Sequence, residues 1–190
     1  MRVVAGRYRG RRLQVPQGRD VRPTSDRSRE ALFNILQSGR LTEDVSPLPG
    51  ARVLDAFAGS GALGIEAFSR GASEVVFIEQ APAALTFLRE NLRDLEPADA
   101  LRILKADALR PPRTDRPVDL LLMDPPYQQD LAEPALIALA EGGWLRPGTL
   151  VVVETSRREL QEPPVGFALL DRRTYGRAQL SFIEVEAEPA

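Results

Sequence analysis

Short unbroken apolar runs alternate along this chain with longer stretches in which apolar residues return every third or fourth position. The runs are Val53-Leu54, Val75 to Ile78, Leu101 to Leu104, Val118 to Met123 and Leu150 to Val153. Runs this short, bounded by acids, glycines or prolines, predict strands buried on both faces. Between them, helical spacing covers roughly Ala62 to Ser69, Pro82 to Leu95 and Leu131 to Glu141, with Leu85, Leu88, Leu92 and Leu95 as inner positions of the second helix. Strand–helix alternation of this kind predicts an α/β fold with a mostly parallel sheet. Phe167 to Leu170 and Gln179 to Val185 flank Arg172-Arg173-Thr174-Tyr175-Gly176-Arg177 and predict a closing antiparallel hairpin on the sheet edge.

Ahead of the sheet, residues 2–15 place two short apolar pieces around a Gly- and Arg-rich turn, the pattern of a β-hairpin that must pack on the body or be ordered by a ligand. A helix follows, capped by Thr24 or Ser25, with Ala31, Leu32, Ile35 and Leu36 as its apolar stripe and Phe33 beside it. Gly39, Pro47, Pro49 and Gly50 mark a linker. The expected division is a basic extension, residues 1–45, and an α/β domain, residues 46–190.

Composition narrows the chemistry. The 190 residues suffice for one full core, and 43% apolar with 27% charged residues is ordinary for a globular protein. No run approaches a membrane span and the N-terminus lacks a signal-peptide segment, so a cytoplasmic location is expected. Cys and His are both absent. That excludes disulfides, thiolate nucleophiles, imidazole bases and His-based metal sites, and no metal is expected. An enzyme here must work with carboxylates, backbone groups, Tyr and a cofactor. The net charge of −2 hides an asymmetry: residues 1–30 hold nine Arg against Asp20, Asp26 and Glu30, a local charge of +6. Guanidinium forks suit phosphates, so Arg7, Arg9, Arg11 and Arg12 read as nucleic-acid contacts. Arg22, Arg27 and Arg29 gather at a helix start, where the dipole favours anions.

The candidate site lies at the strand ends. Gly59, Gly61 and Gly64 match a dinucleotide-binding fingerprint, and Glu79 follows Asp55 by 24 residues, near the spacing of a ribose-binding acid. The pattern admits a nicotinamide, a flavin or S-adenosylmethionine. Asp55, at the strand end ahead of the glycines, favours the last, which has no pyrophosphate and carries an ammonium that an acid can take. Glu79 would then hold the ribose hydroxyls and Asp107 the adenine amino group. Asp124-Pro125-Pro126-Tyr127 leaves a buried strand; its prolines remove two amide donors and fix two φ angles. It reads as a rigid clamp presenting a carboxylate, a carbonyl and an aromatic face to one flat substrate.

These pieces together resemble a known family. Arg2-Val3-Val4-Ala5-Gly6, Arg22-Pro23-Thr24-Ser25-Asp26-Arg27, Asp55-Ala56-Phe57-Ala58-Gly59-Ser60-Gly61, Ile78-Glu79, Ala106-Asp107-Ala108 and Asp124-Pro125-Pro126-Tyr127 resemble the class I, Rossmann-like S-adenosylmethionine-dependent methyltransferases. Within them the chain is most similar to the RsmD family of bacterial 16S ribosomal RNA guanine-N2 methyltransferases, over almost its whole length. The glycine turn is generic to the superfamily. The tetrad at Asp124 narrows it to exocyclic amino groups, and the Arg-Pro-Thr segment with the hairpin is the specific part. The resemblance implies a Rossmann-like sheet, mostly parallel with an antiparallel C-terminal strand, preceded by the hairpin and helix.

It also implies S-adenosylmethionine as cofactor, held by Asp55, Phe57, Gly59, Gly61, Glu79, Gln80, Asp107 and Ala108. Catalysis falls to Asp124, Pro125, Pro126 and Tyr127. RNA falls to Arg7, Arg9, Arg11, Arg12, Arg22, Thr24 and Arg27. The implied partner is 16S ribosomal RNA in the small subunit or an assembly intermediate, met by a monomer. Similar proteins often carry a second acid just after the Glu at the second strand end, where this chain has Gln80-Ala81-Pro82. Three other readings fit parts of the chain: an amino methyltransferase for DNA adenine, transfer RNA or protein glutamine; a nicotinamide oxidoreductase; and a non-catalytic RNA-binding module.

Overall fold

The computed structural model describes residues 1–15, 26–42 and 45–187. The expected cap at Thr24 or Ser25 and the expected contacts of Arg22 and Thr24 lie outside the described residues, as does the side chain of Arg27. Helix α1 spans Asp26–Gln37. Then come β1 (Arg52–Ala56), α2 (Ala62–Ser69), β2 (Glu74–Glu79), α3 (Pro82–Leu92), β3 (Leu101–Lys105), β4 (Leu120–Met123), α4 (Ala132–Glu141), β5 (Leu150–Ser156), β6 (Phe167–Tyr175) and β7 (Ala178–Val185).

The seven strands form one sheet in the order β3-β2-β1-β4-β5-β7-β6. The first five run parallel, and β7 is antiparallel to both β5 and β6. The predicted edge hairpin is present, but β7 is interior and only β6 forms the edge. The residues expected as its loop mostly extend β6, and the turn narrows to Gly176 and Arg177, with Gly176 at φ 61°. The chain starts at β1, builds outward to β3 and then crosses back to β4. The strand order therefore reverses between β1 and β4, the place where ligands bind in open α/β sheets.

Alternation along the strands divides the core in two. Val53, Val75, Phe77, Leu120 and Leu122 face α1, α2 and α3. Leu54, Val76, Ile78, Leu121 and Met123 face α4 and Trp144. This explains the unbroken apolar runs, because both faces are covered. The buried face of α1 is rotated from the expected stripe: Ser28, Arg29, Leu32, Phe33 and Leu36 are buried, while Ala31 and Ile35 are only partly so. On α3, Leu85 and Leu88 are inner as expected, but buried Asn91 replaces Leu92.

The N-terminal segment closes as a hairpin on a single bridge, Arg2 to Arg12, without a longer ladder. Val3 N–H donates across it to the Arg11 carbonyl, Gly10 N–H to Val3 and Leu13 N–H to Met1, and other amides of the segment go to α2. Val4 and Ala5 N–H donate to the carboxylate of Glu66 at 2.8 and 3.0 Å. Arg7 N–H donates to the Ser69 carbonyl at 2.8 Å and Tyr8 N–H to Ser69 Oγ at 3.0 Å. Glu66, 1% exposed, also binds Arg70 Nε at 2.8 Å and lies 3.9 Å from Nε of fully buried Arg29. Arg29 in turn donates to the carbonyl of Arg2 at 2.5 Å. The helix-start anion site expected of Arg29 is therefore corrected: this guanidinium fastens α1 and the N-terminal segment to α2.

Candidate active site

The carboxyl ends of β1, β2, β4 and β5 fall on one edge, because Ala56 pairs with Ile78 and Met123, and Met123 with Val153. A cleft of about 880 Å³ opens there. Its lining joins the β1 exit (Asp55, Phe57 to Ser60) and the β2 exit (Ile78 to Ala81) to Ala106, Ala108 and the tetrad Asp124 to Tyr127. Met1 and Val15, at the two ends of the N-terminal hairpin, border the same cleft.

At the β1 exit the backbone turns sharply, with Phe57 at φ 60°, Gly59 at 56° and Gly61 at 82°. A positive φ on Phe is costly and persists only where the surroundings impose it. Gly61 stands behind the lining; its need for glycine is packing as well as φ, since a Cβ there would sit 2.5 Å from Leu88 Cδ1. At Gly64 a Cβ would run into Phe77 Cε1. Asp55, 1% exposed, accepts from Gly64 N–H at 2.8 Å. It thereby caps α2, whose own N-cap, Gly61, has no side chain to do so. Burial pushes the Asp55 carboxyl well above its ordinary range; the Gly64 bond opposes this, and the charges of Asp124 and Glu79 add to it. Glu79 accepts from Gly59 N–H at 2.7 Å through Oε2, and from Gln80 and Ala81 N–H at 2.8 and 2.7 Å through Oε1. Asp107 accepts from Leu109 N–H at 2.9 Å; its neighbours Ala106 and Ala108 line the cleft and Asp107 does not.

At the β4 exit Asp124 and Tyr127 are partly exposed to the cleft, Pro125 is buried and Pro126 exposed. The next turn is strained, with Gln128 at φ 64° and Asp130 at 49°. Two acids brace this region. Tyr127 Oη donates to Glu154 Oε1 at 2.7 Å. Glu159, 7% exposed, accepts from Gln129 and Asp130 N–H at 3.3 Å and from Ser156 N–H at 3.0 Å. Burial would raise the Glu159 carboxyl, but the hydrogen bonds of Ser156 and Asp130 outweigh it and hold it below its ordinary range. Neither acid was among the expected site residues. Glu154 carried a readable signal, since it follows the run Leu150 to Val153 as Asp55, Glu79 and Asp124 follow theirs. Asn91 is a third omission: it binds Gln14 N–H and carbonyl at 2.8 Å each and the Ser60 carbonyl at 2.9 Å. This joins the hairpin to the glycine turn.

The expected RNA-contact arginines separate into two groups. The Arg7 guanidinium lies 3.9 Å over the Phe68 ring, and Arg11 pairs with Asp94 at 3.4 Å. Arg9 and Arg12 are exposed, as is Arg7, but neither Arg9 nor Arg12 has a ring contact or ion pair among the described residues. Tyr8 stacks on Phe68, and its hydroxyl binds Glu96, which makes the ring part of the packing. Among the described residues, no group of His, Cys, Asp or Glu is placed to hold a metal, and no helix is long and apolar enough to cross a membrane.

Comparison with known proteins agrees with this geometry. The family model described as Conserved hypothetical protein 95 matches residues 1–184. Ribosomal RNA small subunit methyltransferase D of Haemophilus influenzae is 37% identical over 180 residues, 93% of this chain and 89% of that protein. The solved structure of yhhF from Escherichia coli is 33% identical, covers 99% of both chains and has a TM-score of 0.81. A more distant structure, an RNA methyltransferase from Salinibacter ruber in complex with S-adenosyl-L-homocysteine, shares the fold at a TM-score of 0.65 and 16% identity over 89% of this chain and 97% of that one. A Rossmann-like sheet, a strand-end cleft holding the glycine turn and the Asp-Pro-Pro-Tyr tetrad together, and similarity along the whole chain place this protein in the RsmD family of methyltransferases.

Proposed function

We propose that this protein transfers a methyl group from S-adenosylmethionine to the exocyclic N2 amino group of one guanine in 16S ribosomal RNA, acting on the small subunit or an assembly intermediate. The observation that carries the reading is the charge of the cleft. Glu79 and Asp124 line it together with the carboxyl of Asp55, whose burial favours its neutral form until a cation is placed beside it. Such a field favours a ligand bearing a sulfonium and an ammonium and opposes a pyrophosphate. This supports S-adenosylmethionine over a nicotinamide or flavin dinucleotide. The residues fit that cofactor: Ile78, Ala106 and Ala108 offer an apolar slot for a flat base, and Glu79 Oε2 retains acceptor capacity for a ribose hydroxyl. The Asp55 end suits the ammonium. When bound, the cofactor supplies an electrophilic methyl group.

The guanine amino group is a weak nucleophile because its lone pair is delocalised into the ring, so it needs alignment more than a strong base. Asp124 and the Pro125 carbonyl accept its two N–H bonds, which localises the lone pair toward the methyl donor. Holding reacting atoms near contact contributes several kcal/mol, and the Asp124 carboxylate stabilises the positive charge that develops on nitrogen. The proton passes to Asp124 or to solvent. Tyr127 stacks on the base and excludes water, as expected for a nucleotide taken out of its stack. Exposed Arg9 and Arg12 meet RNA phosphates.

The names of similar proteins support an RNA acceptor. The test offers methyl-labelled cofactor and purified protein with small subunits, naked ribosomal RNA, transfer RNA, duplex DNA and a glutamine-containing peptide. Label in ribosomal RNA alone is expected. Label in DNA, transfer RNA or peptide, with none in ribosomal RNA, overturns the reading.

A further inference from the structure

The prolines of the tetrad fix where the Tyr127 Cα stands, but they leave the two side-chain torsions of its ring free. The turn that follows, with Gln128 and Asp130 at positive φ, is braced separately, through its backbone, by Glu159. The ring's hydroxyl donates at 2.7 Å to Glu154 Oε1 and ties it to the sheet. A phenol donating to an ionised carboxylate makes a short, strong bond.

Glu154 lies on β5, one residue past the rung that joins Met123 to Val153, and so stands level with Asp124 on the adjacent strand. Its other neighbour is Leu180 of β7. It is 3% exposed and does not line the cleft. A carboxylate removed from water in this way is costly unless paired. The other buried acids of the cleft region, Asp55 and Glu159, bind backbone amides and shape turns. Glu154 binds the side chain of the tetrad itself.

We infer that Glu154 is a positioning residue for methyl transfer. Through Tyr127 Oη it fixes the tilt of the ring against which the target base rests, and so the distance of the amino group from the methyl donor. The inference rests on the reading of Tyr127 as the stacking face. It extends the clamp from a loop tetrad to a buried strand residue that touches neither substrate nor cofactor.

A double-mutant cycle tests it, because a pairwise role makes effects non-additive. Glu154→Leu removes the acceptor and suits an apolar surrounding. It is expected to lower kcat on the RNA substrate about tenfold, since small misplacements at a reacting centre carry losses of that order or more, with cofactor affinity unchanged. Tyr127→Phe is expected to lose a similar factor, and the double variant no more than Tyr127→Phe alone. Glu154→Gln keeps an acceptor oxygen and is expected to lose less. Wild-type kcat in Glu154→Leu, or a further loss in the Tyr127→Phe background, overturns the inference.

A second measurement needs no activity. The chain has three tyrosines, so ring-labelled protein gives a Tyr127 signal identified by its loss in Tyr127→Phe. In Glu154→Leu that signal is expected to show ring averaging while those of Tyr8 and Tyr175 stay fixed. An unmoved Tyr127 ring overturns the positioning role even if the wild-type enzyme methylates no RNA, an outcome that would overturn the proposed function instead.

Discussion

At the glycine-turn end of the cleft, Asp55 and Glu79 give their oxygens to backbone amides, four bonds in all from Gly64, Gly59, Gln80 and Ala81. At the tetrad end, Asp124 faces the cleft, while Glu154 and Glu159 behind it brace Tyr127 and the turn after it. The first end is a backbone surface shaped by acids. The second is a set of side chains held by acids. A backbone surface tolerates a change of side chain poorly wherever a Cβ has no room, and a side-chain clamp loses its function when one group is cut away. The two ends should therefore fail differently when disturbed.

The largest effect is expected at the tetrad. Asp124→Ala should lower methyl transfer by about 10²-fold or more, with cofactor affinity changed no more than about twofold, because the lost contact forms chiefly in the transition state. Single-turnover rates and calorimetric titration check both halves. Near wild-type turnover would remove Asp124 from the mechanism. The glycine turn should fail through its fold. Gly61→Ala places a Cβ 2.5 Å from Leu88 Cδ1 at a φ of 82°, and should cost roughly 1–3 kcal/mol of stability. Cofactor affinity should fall with it, while turnover at saturating cofactor stays. Urea unfolding and cofactor titration read this; wild-type stability would show that the turn has slack.

Next comes the hairpin. Replacing Arg9 and Arg12 together by Ala should weaken RNA binding and reduce the slope of log affinity against log salt by about 1.4, the value for two single-strand phosphate contacts. Arg11→Ala should change the slope less, because its guanidinium is held by Asp94 and the Asn91 carbonyl. Filter binding over a salt series measures both. Equal slopes for the double variant and the wild type would dismiss the hairpin as an RNA contact.

The smallest effects are titrations, and they run in opposite directions at the two ends. Asp55 is raised by burial, so its contribution to stability is full below its ordinary 3.8 and is lost as pH rises through the folded value. Asp55→Asn, which stays neutral, should gain on the wild type as pH rises. Glu159 is lowered by its hydrogen bonds, so its contribution is present above its ordinary 4.5 and is lost as pH falls through the folded value. Glu159→Gln should show its deficit above that range, and the deficit should shrink in acid. Unfolding midpoints across pH give the two signs; parallel curves would contradict the electrostatic difference between the ends.

The sheet was legible because burial on both faces leaves unbroken apolar runs, and the site was legible where an acid or glycine ends such a run. What was not legible depends on partners far away in sequence. Asn91 reads as a helix-surface residue until Gln14, 77 positions earlier, lies against it. Glu66 reads as an exposed acid on α2 until the amides of Val4 and Ala5 reach it. Those same bonds explain why the hairpin ladder stops after Val3, since the next two amides are drawn to α2. Strand β5 runs three residues beyond its expected end at Val153, to Ser156, so Glu154 lies inside the strand and its partner Tyr127 comes from the neighbouring strand exit, 27 positions away in sequence.

The central claim is that the clamp methylates the N2 atom of a guanine in 16S ribosomal RNA. Its most direct test is nucleoside mass spectrometry of small-subunit RNA, from cells lacking the enzyme, after reaction with wild-type protein and cofactor. The account predicts one new N2-methylguanosine at a single position, absent when Asp124→Ala replaces the wild type. An N6-methyladenosine, or a methylated guanine bearing the group on another atom, would contradict it.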